Sequence, residues 1–168
     1  MKNYKSTFEF KSLVEKQILK ELECDNYVTV LKKPKIVSAL GAILKSDGIS
    51  VRLLHDLSRP QGGVNSYILN RSIKYSTIND ATEYMSKGTY LSKIDLKSAY
   101  RAVPVSPCCY DFLGLSWSFK GESEPTYFFD SKLPFGAASS CMIFQRLSNS
   151  VVRMMLRRGF RVFAYLDD

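Results

Sequence analysis

The spacing of apolar residues changes period several times along this chain, and that alternation limits the folds open to it. Phe10, Leu13, Val14, Ile18 and Leu22 recur at helical spacing and fade by Cys24. Ser6-Thr7-Phe8-Glu9 reads as the capping box that opens this helix. Pro34 then separates it from the apolar stretch IVSALGAIL, which breaks at Asp47-Gly48, a hairpin signal between β-compatible flanks. Thr77 to Asp80 reads as a second capped start, with Gly88 as the expected stop. TYLSKIDL alternates apolar and polar residues like a half-buried strand. Pro104, Pro107 and the aromatics from Phe112 to Phe129 predict further short strands. From Ser139, the residues Ile143, Leu147, Val151 and Met154 trace one face of a long helix, with Arg157 and Arg158 at its end and Gly159 just past it. RVFAYL is a last strand candidate and runs into Asp167-Asp168. Helices and strands interspersed in this way predict an α+β fold rather than a bundle or a sandwich.

Charge narrows the partners. Lys and Arg number 24 against 16 Asp and Glu, a formal net charge of +8. Such an excess favours a polyanion, although many basic proteins bind none. No apolar run approaches the ~18 residues of a membrane span, and the start, MKNYKSTFEFK, lacks a signal-peptide core. A soluble, intracellular protein is expected, with neither cytoplasm nor nucleus favoured and no membrane partner. Cys24, Cys108, Cys109 and Cys141 form no C-x-x-C pair, and His55 is the only histidine, which disfavours zinc. Adjacent Cys108 and Cys109 cannot easily bridge each other, in keeping with a reducing compartment.

Asp95 follows one strand-like segment and Asp167-Asp168 another. Side by side, two such strands would bring carboxylates to a common point. Carboxylates that close repel, and hard oxygen donors suit Mg²⁺ or Mn²⁺. Two such ions can activate a hydroxyl and stabilise a leaving pyrophosphate. The plainer reading is that each Asp ends a strand or starts a turn. The hairpin also allows a geometric argument. A two-residue turn at Asp47-Gly48 pairs Lys45 with Ser50 and puts Arg52 on their face, with Leu44, Val51 and Leu53 towards a core. Lys45 and Arg52 are then diagonal neighbours roughly 7–8 Å apart, close enough to clamp two phosphates. Ile43 falls on the charged face and breaks the pattern.

Four segments, taken in order, resemble the reverse transcriptase family. YLDD at 165–168 resembles its Y-x-D-D box, and KIDLKSAY at 93–100 its first catalytic motif. LPFGAASSCMIFQ at 133–145 resembles its L-P-x-G segment and following helix. AILKSDGISVRLLHDLS at 42–58 resembles its fingers hairpin. The wording HDLSRPQGGVNSYI and DLKSAYRAVPVSP is most similar to tyrosine-recombinase retrotransposons, with LTR retrotransposons next.

The resemblance implies an RNA-directed DNA polymerase: a nucleotidyltransferase adding dNTPs to a primer 3′-hydroxyl on an RNA or DNA template. It implies a right-hand architecture with fingers at 1–75 and 106–138, and a palm at 76–105 and 139–168 whose mainly antiparallel sheet is backed by helices. Asp95 and Asp167 would ligate two Mg²⁺ ions, or Mn²⁺, with Asp168 beside them and the Leu96 carbonyl adding a contact. Backbone amides of Lys97, Ser98, Ala99 and Tyr100 would lie under the triphosphate. Tyr100 would exclude a 2′-hydroxyl, which favours DNA synthesis over RNA synthesis. Phe135 occupies the variable position of L-P-x-G beside the incoming nucleotide, and Gln145 is a weaker candidate for template or nucleotide contact. His55 has no catalytic partner in the sequence and is read as structural. The family's next palm strand, primer grip and thumb have no counterpart in the sequence, so a fragment inactive by itself is expected. The alternative is a degenerate or domesticated element remnant that only binds nucleic acid.

Overall fold

The computed structural model describes residues 2–69 and 72–166. The chain forms two compact units, Met1–Ile68 with Tyr100–Ala138, and Leu69–Ala99 with Ser139–Asp168. The architecture is α+β, as expected from the sequence, but both antiparallel sheets lie in the first unit, and the described residues of the expected palm form no strand, contrary to the sheet expected there.

In the first unit, helices α1 (Lys5–Glu9) and α2 (Lys11–Glu23) precede strand β1 (Tyr27–Val30). The hairpin β2 (Ala39–Leu44) and β3 (Val51–Asp56) forms one sheet. Strands β4 (Gly114–Trp117) and β5 (Thr126–Asp130) join β1 in the other, in the order β1-β5-β4. Val14 and Ile18 on α2, Tyr27 on β1, and Leu40, Val51, Leu115, Trp117 and Phe128 from the strands bury together as the core. Pro107 opens a 3₁₀ turn, Pro107–Phe112, where its missing N–H costs no hydrogen bond.

The first helix differs from its sequence reading. The expected single helix breaks at Phe10 (φ −108°, ψ 34°), and the N-cap is Tyr4. Tertiary hydrogen bonds override the local capping signal. Ala42 N–H donates to Ser6 Oγ (3.1 Å), Leu40 N–H to Asn3 Oδ1 (3.0 Å), and Tyr4 N–H to the Leu40 carbonyl (2.9 Å). These bonds cover the outward backbone groups of Leu40 and the N–H of Ala42 on β2, as protection of a sheet edge requires.

The second unit holds α3 (Ile78–Thr82) and α4 (Ser140–Arg157). The capping box at Thr77 and Asp80 forms as expected, yet α3 ends well before Gly88. The i→i+3 bonds Tyr84 N–H to Ala81 O and Met85 N–H to Thr82 O tighten its end. Ser86 N–H then turns to the Thr89 hydroxyl (3.0 Å), a side-chain partner that competes with helix continuation. The end of α4 matches its reading: Gly159 (φ 87°) donates to Leu156 O and Phe160 to Met155 O, satisfying the last carbonyls.

Three expectations fail in this unit. Residues 89–96 and 161–166 form no strand among the described residues. Alternation sets which side chains turn inward, but a strand also requires a ladder partner for its backbone. The apolar stripe of α4 is also reversed: Ile143, Leu147, Val151 and Met154 are 38–51% exposed, while Ser140, Phe144, Gln145 and Ser148 are buried. The contact along that buried face is with backbone at 164–166, which needs hydrogen-bonding groups rather than methyls.

Candidate active site

The hairpin supplies the first cations. Its register pairs Ile43 with Arg52 and Leu44 with Val51, and Lys45 N–H donates to the Ser50 carbonyl (2.9 Å). Lys45 and Arg52 therefore share a face, with an exposed Ile43 between them, as expected. The connection is wider than a two-residue turn, because the Asp47 carboxylate accepts from the N–H groups of Ile49 and Ser50 (both 3.0 Å). Val51 and Leu53 are buried as expected; Leu44 is not, at 39% exposed.

Arg52 reaches an aromatic pair. Its guanidinium lies 5.9 Å from the ring centre of Phe135, and Phe135 stacks on Tyr100 at 5.0 Å and 29°. Tyr100 is buried in the 3₁₀ turn Ala99–Ala102, and Phe135 keeps 44% of its surface exposed. The structure thus assembles three of the expected nucleotide-binding residues, Arg52, Tyr100 and Phe135. Gly136 makes the assembly possible. A Cβ there would come within 1.7 Å of the His55 carbonyl oxygen, so only glycine lets the turn after Phe135 lie against β3. Asn65 fixes the same turn, donating to the Gly136 carbonyl and accepting from Ala138 N–H (both 2.9 Å).

The residue after Tyr100 anchors an ion network that sequence reasoning missed. Arg101 Nη1 donates to both Asp130 oxygens at 2.7 Å, and its Nε lies 3.2 Å from Glu21. Asp130 is fully buried. Burial pushes Arg101 towards losing its proton, but the Asp130 carboxylate overrides this and holds the guanidinium charged. The signal was faint: Arg101 follows the motif tyrosine directly, and Asp130 ends the aromatic run YFFD.

His55 is structural, as its sequence reading held. It is 2% exposed and its Nε2 lies 3.0 Å from the Gly114 carbonyl. Burial drives its pKa down to about 4, so the ring is neutral, and Nε2–H is the donor to Gly114. Gln145 cannot serve as a template contact as placed: it is 2% exposed, with its amide bonded inside the unit.

In the second unit, Asp95, Leu96, Lys97 and Ser98 are exposed and Ala99 is buried. Ser98 sits in the left-handed region (φ 55°), bending the chain just before the 3₁₀ turn. Asp167 and Asp168 lie outside the described residues. Among the described residues no three His, Cys, Asp or Glu side chains group as a metal cluster. Asp95, the one described carboxylate of the expected set, and the adjacent Leu96 carbonyl are hard-oxygen donors on exposed residues, of the type a divalent hard cation takes.

Residues 49–168 match the family described as reverse transcriptase (RNA-dependent DNA polymerase). The chain belongs to the reverse transcriptase family. No curated protein matches it. The reverse transcriptase match takes in Arg52, Asp95, Tyr100, Phe135, Asp167 and Asp168, and begins after Lys45. Reverse transcriptases are nucleotidyltransferases that act on a primed template with dNTPs. Among the described residues, no helix is long and apolar enough to cross a membrane.

Proposed function

We propose that this chain is the fingers and part of the palm of a retroelement RNA-directed DNA polymerase, with a tyrosine-recombinase retrotransposon as the source its wording favours. The observation that carries the reading is the cluster of Arg52, Phe135 and Tyr100, a cation on a half-exposed ring backed by a buried tyrosine. Arg52 and Lys45 would bind the triphosphate of the incoming nucleotide, the first as a fork donor and the second as a point charge. Tyr100, immobilised by Phe135 and by its 3₁₀ turn, would meet a ribose 2′-hydroxyl with bulk rather than a partner. The backbone at Leu96, Lys97, Ser98 and Ala99 would lie along the phosphates. Asp95, Asp167 and Asp168, with the Leu96 carbonyl, would hold two Mg²⁺ ions or Mn²⁺ in their place, which when bound supply charge neutralisation and activation of the primer hydroxyl.

The division into fingers (1–75 and 106–138) and palm (76–105 and 139–168) is supported by the two interleaved compact units: their last junction, 138/139, coincides with it, while the first two, 68/69 and 99/100, fall seven and six residues earlier and put Tyr100 with the fingers residues. A remnant that binds nucleic acid through its charge and catalyses nothing is the alternative.

Magnesium-dependent primer extension separates the two, using the chain joined to a return strand, primer grip and thumb. Active protein is expected, with Asp95→Asn abolishing incorporation while template binding persists. An active Asp95→Asn protein would remove the metal assignment. Tyr100→Ala is expected to admit rNTPs, and unchanged sugar preference would remove Tyr100 from that role.

A further inference from the structure

Gln145 and Ser148 raise a question the nucleotide site leaves open. Both are polar, both are at least nine-tenths buried, and they sit one turn apart on α4. Gln145 Oε1 accepts from the Leu166 N–H (3.0 Å), while its Nε2 donates to Asn149 Oδ1 (2.9 Å). Ser148 Oγ lies 2.6 Å from the Leu166 carbonyl and 3.2 Å from that of Phe144, and its one proton goes to the nearer.

The two side chains thus grip both backbone groups of a single residue. The Leu166 N–H belongs to the peptide plane shared with Tyr165. The Leu166 carbonyl belongs to the plane whose far end is the nitrogen of Asp167. Bonds to both planes hold the backbone of Leu166, the residue that precedes the two aspartates in sequence. Leu166 itself is in the left-handed region (φ 53°), a conformation a leucine keeps only where its surroundings impose it. Tyr165 is docked as well, its ring 5.4 Å from that of Tyr75. Where a ladder would have held this segment, side chains hold it instead.

We propose that Gln145 and Ser148 are positioning residues for the carboxylates that follow Leu166, acting through its backbone and without touching nucleotide or metal. The inference rests on the metal-binding reading of Asp95, Asp167 and Asp168. It also accounts for a glutamine buried on the face of α4 opposite the expected apolar stripe.

Two measurements on the 168-residue chain test it. The first is hydrogen exchange of the Leu166 amide by NMR. Gln145→Met should speed that exchange by about ten-fold while amides inside α4 stay protected, and Gln145→Glu, which keeps an acceptor oxygen, should preserve it. The second is Mn²⁺ binding followed by electron paramagnetic resonance. Gln145→Met should weaken it by about ten-fold, as losses behind a metal ligand do, and Gln145→Glu should not. An unchanged Leu166 amide in Gln145→Met overturns the proposal. So does unchanged Mn²⁺ affinity in Gln145→Met when Asp95→Asn weakens it. If wild type binds Mn²⁺ no better than Asp95→Asn, the carboxylate reading itself fails and the proposal falls with it.

Discussion

In the first unit, Arg52 projects from a strand laddered to its neighbour, and the rings of Tyr100 and Phe135 stack on each other. In the second, Asp95 lies on backbone outside any ladder among the described residues, and Leu166 is held by two side chains of α4. The contrast matters because ring stacking and charge clamping tolerate small errors in placement, whereas metal ligation does not. A ladder fixes many residues at once through bonds every chain can make. A side-chain grip fixes one residue and depends on particular amino acids. The second unit should therefore be the more sensitive to conservative polar changes, and the first to loss of its buried ion pair.

Arg101→Met is expected to have the largest effect. It leaves Asp130, which is fully buried, without the cation that touches both its oxygens. Breaking such a pair costs about 3–5 kcal/mol, readable as a fall in the urea midpoint. Replacing both partners, Arg101→Met with Asp130→Leu, should recover most of it. A single variant as stable as wild type would show that the network does not anchor the first unit.

Gly136→Ala comes next. The added methyl meets the His55 carbonyl at 1.7 Å, so the turn must move off β3. Overpacking against fixed backbone costs about 3 kcal/mol, and the move separates Phe135 from Arg52. A destabilisation of only a few tenths would mean the turn shifts freely and does not place Phe135.

What was legible in the sequence follows the same division. The hairpin could be read to its register, since turn chemistry and alternation are local signals, and the register alone put Lys45 and Arg52 on one face. The capping box at Thr77 formed because nothing competed for its side chains. The one at Ser6 failed because β2 did compete. TYLSKIDL and RVFAYL carry the alternation of strands, yet the partner a strand requires is nonlocal and leaves no mark in the segment itself. The burial of α4 was illegible for a related reason: its stripe was read as oil, while the buried face answers to a backbone lying on it. Arg101 and Asp130 lie far apart in sequence, and neither residue alone announces a pair.

His55 gives a pH-dependent comparison. Unfolded, it takes up a proton as pH falls through about 6.5. Folded, burial holds its pKa down to about 4. The unfolded state therefore binds more protons across that window, and stability falls as pH drops from 6.5 towards 4. Between pH 6.5 and 5 the loss should reach about 1.6 kcal/mol. His55→Gln, which keeps a donor for the Gly114 carbonyl, should flatten that slope in urea titrations run at each pH. An equal slope in both proteins would assign the pH dependence to other groups.

The smallest energies involved belong to the segment around Asp95, and limited proteolysis reads them. Tyr90 is 100% exposed, Leu91 65% and Ile94 75%, and no ladder protects the backbone among the described residues of this stretch. Opening such a segment costs close to nothing, whereas opening β3 or β5 means dismantling a sheet and the core beneath it. Chymotrypsin at low ratio should cut first after Tyr90, Leu91 or Leu96, with fragments identified by mass, and reach the β-sheet region only later. First cuts within β1, β3 or β5 would reverse the ranking of the two units. Mg²⁺ sharpens the test, because a cation held by Asp95 would restrain the segment and slow those early cuts. It would leave later cleavage in the first unit unchanged. Equal slowing by Mg²⁺ in Asp95→Asn would show that the ion acts elsewhere.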